Sequence, residues 1–218
     1  MSSVESQEPT GFGRARRRRI RSDGARTRQA ILDVAVDVAS LEGLESLTIG
    51  RLADKVKMSK SGLFAHFGSK EELQLATVEA ARQRYYREVV EPIRTVPDGL
   101  PRLQAMCNGT LDYLRRRVFP GGCFFAVVRA EFSARPGPVR DKINRNKLWG
   151  RRFVVDRIRA AQANGELSAA EKPEQLAFEL EALWDAPNWS LHTEPGERDI
   201  GRARRALDRR LEAAKAGP

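Results

Sequence analysis

Apolar residues recur along most of this chain at steps of three and four, the spacing that places them on one face of an α-helix. From Thr27 the stripe is Ile31, Val34, Ala35, Val38 and Leu41, and Gly43 supplies a natural stop. A shorter stripe of Ile49, Leu52, Ala53 and Val56 follows Thr48, a residue type that caps helix starts. After a tight turn at Lys57–Ser59, a very short helix is predicted between Ser59 and Gly68. Ser69 then opens a fourth helix, with Glu72 three residues on as the second half of a capping box. This one runs through Leu73, Ala76, Ala80 and Tyr85 to the break at Pro92. Beyond it, the turn signals VPDGLP, FPGGC, RPGP and NGELSAAEKP separate further helical stretches. These are Leu100 to Val118, Cys123 to Phe132, Pro138 to Asn164, a stretch after Pro173 that Pro187 interrupts, and Glu197 to Ala214. No alternating strand pattern appears, so the predicted fold class is all-α with about nine helices.

The second and third helices, joined by a tight turn and with the third short and basic, have the layout of a helix-turn-helix. On the third, Leu63 and Phe67 share a face that packs inward, whereas Lys60, Ser61 and Phe64 point outward. An outward phenylalanine among polar neighbours suits contact with a thymine methyl or a sugar-phosphate edge. Gly62 weakens the helix and permits a close approach to a groove wall. Lys60 and Lys70 stand in first helical turns, where the macrodipole disfavours positive charge. An anion facing both helix starts accounts for them. His66 has two readings here: a histidine packed at the end of the short helix, or a donor to phosphate or a base edge.

Composition narrows the function classes. The 218 residues are 41% hydrophobic and 7% aromatic, which suits a helical protein with ample apolar surface to bury. No apolar run approaches the roughly 18–20 residues that cross a bilayer. The polar, then arginine-rich start does not resemble a secretory signal; a cytoplasmic protein without membrane attachment is expected. Cys107 and Cys123 lack metal spacing and are expected as reduced thiols. With His66 and His192 as the only histidines, a site built on several imidazoles is excluded, and neither catalytic residues nor a cofactor are expected. The net charge of +10 points to polyanionic partners, yet it is spread evenly: 13 Lys and Arg against 8 Asp and Glu in residues 1–70, and 26 against 21 in the rest. Residues 48–70 concentrate it locally, with Arg51, Lys55, Lys57, Lys60 and Lys70 against Asp54 alone. The run RARRRRIR (Arg14 to Arg21) reads either as a solvated tail or as an arm that follows a phosphate backbone or enters a minor groove. An enzyme would need convergent acids, bases or ligands that are not readable here. A non-specific DNA-coating protein would rely on the arginine run alone.

The stretch TRQAILDVAVDVASLEGLESLTIGRLADKVKMSKSGLFAHFGSKEEL (Thr27 to Leu73) closely resembles the DNA-binding domain of the tetracycline-repressor (TetR) family of bacterial regulators. Composition predicts a basic disordered arm over residues 1–22, and the resemblance implies a helix-turn-helix domain over 23–70 and a helical ligand-sensing and dimerisation domain over 71–218. It implies a regulator, expected to be a ligand-relieved repressor, that binds a palindromic operator in double-stranded DNA as a homodimer. The expected DNA-binding residues are Thr48, Lys57, Ser59, Lys60, Ser61, Gly62, Phe64, His66 and Lys70, with Thr48 and Lys70 on phosphates. The family usually has tyrosine where Phe64 stands, and phenylalanine cannot make that tyrosine's phosphate bond.

Further along, GGCFFAVVRAEFSARPGPVRD and EPGERDIGRARRALDRRL look similar to one subgroup of the family. A small apolar or amphipathic effector is expected against Met106, Cys107, Phe125, Arg129, Trp149, Phe153 and Trp184, with few charges inside. The stripes Leu176, Leu180, Leu183 and Leu191, and Ile200, Leu207 and Leu211, are expected to meet a second subunit; the alternative is that they close the chain's own core.

Overall fold

In a computed structural model the structure describes residues 11–192 and 196–216, with side chains described from residue 23 onward. Nine α-helices are present among them: α1 (Gly11–Glu42), α2 (Ile49–Lys55), α3 (Lys60–Phe67), α4 (Lys70–Tyr85), α5 (Leu100–Arg115), α6 (Phe124–Phe132), α7 (Pro138–Ala163), α8 (Pro173–Asp185) and α9 (Gly196–Ala213). A π-helical turn, Tyr86–Val90, prolongs α4, and a 3-10 turn, Ala186–Trp189, follows α8. Pro187 therefore ends α8, since its ring and missing N–H cannot continue the α-helical ladder.

The helix starts follow the expected caps. Thr48, Ser59 and Ser69 accept hydrogen bonds from the N–H groups of Arg51, Gly62 and Glu72 at 3.2, 3.1 and 3.0 Å. At the other end of α1, Gly43 takes φ +84°, the conformation that stops a helix at lowest steric cost.

The first helix departs from expectation by beginning at Gly11, so the arginine run of 14–21 is helical rather than part of a disordered arm. Arginine is a good helix former, and the segment contains no proline to break the continuation of α1. The remainder of the expected arm, residues 1–10, lies outside the described residues.

One continuous apolar core joins both parts of the chain. Ile31, Ala35, Leu52, Leu63 and Phe67 bring α1, α2 and α3 together, with Leu73 and Val78 of α4 beneath them. Leu41, assigned to the same stripe of α1, is 59% exposed. Arg84 of α4 ties back to α1 through Asp37 at 2.5 Å and Asp33 at 3.6 Å.

The expected dimer stripes are corrected by burial. Leu176, Leu180, Leu191, Ile200, Leu207 and Leu211 are all buried within the single chain, and Leu183 is half-buried. They close α8 and α9 onto each other and onto α5 and α7, so they are not free to meet a partner. Periodicity shows which face of a helix is apolar but not what covers it. The outward face of this region is different: Phe178 and Trp189 are exposed, and so are Ala182 and Ala186 between them.

Candidate functional site

The turn between α2 and α3 is built from the backbone. Met58 donates its N–H to the carbonyl of Ala53 at 3.0 Å and Lys57 donates to Asp54 at 3.3 Å, the paired bonds of a Schellman ending. That ending needs one left-handed residue, and here it is Lys57, at φ +55°. A non-glycine residue pays about 1 kcal/mol for this conformation. Lys57→Gly is therefore expected to raise stability by about 1 kcal/mol, or about 2–4 °C in melting temperature. It should also flatten the salt dependence of DNA binding by about one unit. Thermal unfolding and a salt titration on the same variant check both signs.

On α3, Leu63 and Phe67 are buried and Phe64 is 55% exposed, as the spacing requires. Lys60 and Ser61 are exposed, and the Lys60 side chain lies alongside Gly50 at the start of α2. The Ser59 and Ser61 hydroxyls share a bond at 3.2 Å. His66 is half-buried, its ring tilted against Phe67 at 6.3 Å. Gly62 has a reason inside the fold: a Cβ there would meet the capping Ser59 hydroxyl at 3.0 Å. The glycine protects the cap, which accounts for it without any groove wall.

The basic cluster is smaller than its sequence suggests. Arg51 and Lys55 both bind Glu42 at the end of α1, at 2.5 and 3.1 Å, and hold its carboxyl below the usual range, Lys55 foremost. Lys70, expected on phosphate, bonds Glu45 at 2.5 Å. Glu45 is also near Arg135 at 3.4 Å, and its carboxyl is likewise pushed down, chiefly by Lys70. A phosphate at Lys70 must compete with that carboxylate. Among the described residues of this segment, Lys57 and Lys60 are the lysines without an ion-pair partner; Lys60 stands one turn before Phe64 on α3 and Lys57 in the turn that precedes the helix.

The α1–α2 loop is held from the far half of the chain. Glu131 of α6 accepts the N–H groups of Leu44 at 2.7 Å and Glu45 at 2.9 Å. One turn before the end of α1, Gly121 packs directly on the Ser40 backbone and donates its N–H to the Ser40 hydroxyl at 3.2 Å. The loop before α6 and the end of α6 thus grip the two sides of the joint from which α2 departs.

A cavity of about 120 Å³ lies between α5, α6, α7 and α8, near the end of α4. Met106, Phe125, Arg129, Trp149 and Trp184 line it, as expected. Two expected residues do not. Cys107 is buried in the core, where desolvation pushes its thiol up to about 12. Phe153 stands behind the wall, stacked on Trp149 at 5.9 Å with the Arg157 guanidinium 4.9 Å from its ring.

The expectation of few charges also fails. Arg129 pairs with Asp185 at 2.9 Å, and the buried Glu181 takes both Lys147 at 2.6 Å and Arg151 at 2.7 Å. Arg82, Tyr85, Thr110, Tyr113, Asn146 and Asn188 add further polar groups to the lining. The missed residues of α7 had a signal: Ile143, Asn146, Lys147, Gly150, Arg151 and Val154 recur at steps of three, one, three, one and three, a single helical face. Its mixed polarity concealed it among surface faces. Among the described residues no group of three or more His, Cys, Asp or Glu is placed to hold a metal ion, and no helix is long and apolar enough to cross a membrane.

With this geometry in view, comparison with known proteins is specific. Residues 31–77 match the family model of bacterial regulatory proteins of the tetR family, and residues 99–207 match the tetracyclin repressor-like C-terminal domain. The chain is 27% identical over 167 residues to the transcriptional regulator AcuR of Cereibacter sphaeroides, covering 74% of this chain and 73% of that protein. A TetR transcriptional regulator of Chloroflexus aurantiacus has the same fold, with TM-score 0.83 at 17% identity over 90% of this chain and 100% of the other. AibR, solved with isovaleryl coenzyme A and operator DNA, aligns with TM-score 0.65 at 20% identity, over 83% and 97% of the two chains.

Proposed function

The chain belongs to the TetR family of bacterial transcriptional regulators, and from that premise we propose that it is a ligand-relieved repressor that binds a palindromic operator as a cytoplasmic homodimer. The observation that carries the reading is the outer face of α3. It offers an exposed phenylalanine with the unpaired Lys60 one turn before it, and the unpaired Lys57 stands in the turn that leads into α3. The other lysines and arginines of the segment are held in ion pairs within the fold. Phe64 has no hydroxyl for phosphate, so its contribution is apolar contact with a thymine methyl or a sugar edge. Lys57 and Lys60 supply backbone attraction, with Thr48, Ser59, Ser61 and His66 as shorter-range donors around them. The arginine run adds sequence-independent attraction on its charge alone.

For the dimer, the surface that supports the reading is Phe178, Ala182, Ala186 and Trp189, because the leucines of α8 and α9 are consumed internally. Two exposed large aromatics on one outer face leave apolar area that a second copy would cover. A twofold dimer places two α3 helices on half-sites a helical turn or more apart, hence the palindrome. The effector occupies the cavity and biases the chain toward a spacing of the two α3 helices that does not fit the operator.

The test is selection of bound fragments from a random DNA library, followed by affinity measurements on the recovered site. Phe64→Ala and Lys60→Ala are each expected to weaken that site by about 1–3 kcal/mol. Phe64→Ala should act on the selected sequence and leave random competitor DNA nearly unchanged. Recovery of no common sequence, or wild-type affinity in both variants, would reduce the protein to a non-specific DNA binder.

A further inference from the structure

The charges in the cavity wall do not balance once each is assigned its partner. Arg129 is neutralised by Asp185, while Arg82, also in the wall, shares Glu79 with Lys142, at 2.6 and 3.1 Å. Lys147 and Arg151 share the single carboxylate of Glu181, leaving one positive charge in excess. All three of their hydrogen bonds fall on the same oxygen, Oε2. Glu181 is itself buried, whereas the Lys147 and Arg151 side chains stay partly open to solvent, so the wall holds an anchored carboxylate with a partly hydrated cationic excess.

One hydrogen-bonding group of the lining has no partner. The side-chain Nδ2 of Asn146, one position before Lys147 on the cavity face of α7, is buried and unbonded, whereas the buried hydroxyl of Tyr113 meets the Cys123 thiol. Buried donors are almost always satisfied in folded proteins. A donor left open in a cavity wall, next to a surplus cation, is set for an acceptor that arrives from outside. Most of the remaining lining is apolar or aromatic, with Tyr85, Phe125, Val154 and Trp184 around the space, and Thr110 and Asn188 are its other polar members. Gly150 widens it between Asn146 and Val154, since a Cβ there would meet nothing within 4 Å.

We propose that the effector is a small organic monoanion, a carboxylate on a compact aromatic or aliphatic body, with its oxygens on Asn146 and Lys147 and its body against Phe125 and Trp184. This rests on the reading of the cavity as the effector site. A cationic ligand is disfavoured because both wall carboxylates already hold guanidinium or ammonium groups. A neutral one would leave Lys147 and Arg151 sharing a single carboxylate oxygen. An anion removes both defects at once, as a charge-assisted acceptor.

The test uses the DNA-free full chain titrated with benzoate, benzamide, benzylamine and inorganic phosphate at constant ionic strength. The readouts are the fluorescence of Trp149 and Trp184 and the melting temperature. Benzoate is expected to bind at least about tenfold more tightly than benzamide, a difference of about 1.4 kcal/mol, with benzylamine and phosphate without effect. Asn146→Leu and Lys147→Met should bring benzoate down to the benzamide level. Lys147→Arg should restore it, and Gly150→Leu should abolish binding of all by filling the space. Each variant is checked for a wild-type melting temperature, and Lys147→Met retains the Arg151–Glu181 bond that supports the fold. Equal binding of benzoate and benzamide, tighter binding of benzylamine or phosphate, binding that survives Gly150→Leu, or no binding of benzoate at all would each overturn the proposal. Because no DNA is present, any of these leaves the operator reading to its own test.

Discussion

Gly121→Ala is expected to lower the melting temperature by about 6–12 °C, a loss of about 3 kcal/mol or more. The added Cβ would lie 1.8 Å from the carbonyl oxygen of Ser40 and 2.3 Å from its carbon. Both atoms are backbone of α1, so no side chain can turn aside; the helix itself must move. Overpacking of this kind costs about 1–3 kcal/mol where side chains can yield, and more where the backbone must shift. The effect is steric rather than conformational, because Gly121 is not among the glycines with positive φ. Gly150→Ala is the matched control. It meets open space in the middle of a helix and should be stabilising by about 1 kcal/mol. A Gly121→Ala protein melting within about 2 °C of wild type, well under 1 kcal/mol, would show that the α5–α6 loop does not rest on α1 in solution.

Glu131→Leu should release the α1–α2 loop. It leaves the N–H groups of Leu44 and Glu45 without an acceptor, at about 1–3 kcal/mol for each that stays buried. Leu44 itself is wholly buried, so water cannot readily replace the carboxylate there. Global stability is expected to fall by about 2–5 kcal/mol, with the amide exchange of Leu44 and Glu45 rising most. Operator affinity should drop by about tenfold or more, because this loop sets the angle at which α2 and α3 leave α1. Glu131→Gln, which keeps one acceptor oxygen, should lie between the two. The same residue gives the cavity a route to the DNA reader: Arg129 is in the cavity wall and Glu131 is two residues later on α6. Unchanged exchange at both amides in Glu131→Leu would remove that route.

Several features were legible in the residue order because they arise locally. The caps at Thr48, Ser59 and Ser69 need only a side chain three residues from the N–H it accepts. The inward Leu63 and Phe67 and the outward Phe64 follow from 3.6 residues per turn, as do the main helices and the end of α8 near Pro187. Arginine propensity extends α1 beyond its apolar stripe, so the stripe alone marks only the later part of the helix.

What residue order could not supply was the identity of partners far apart in the chain. Glu45 meets Lys70 across 25 positions and Glu131 meets Leu44 across 87. Such pairs form because helices pack at angles set by the whole core, so their carboxylates cannot be assigned from spacing. For the same reason Lys70 read as a free cation and the leucines of α8 and α9 read as a surface for a second subunit. The sequence by itself determined the helices, their caps and the face that α3 presents. Only the tertiary structure decided which charges remain unpaired on that face, which apolar stripes are already covered, and which side of α7 encloses a cavity where Lys147 and Arg151 share one carboxylate. Local periodicity specifies what a helix offers; long-range packing specifies what meets it.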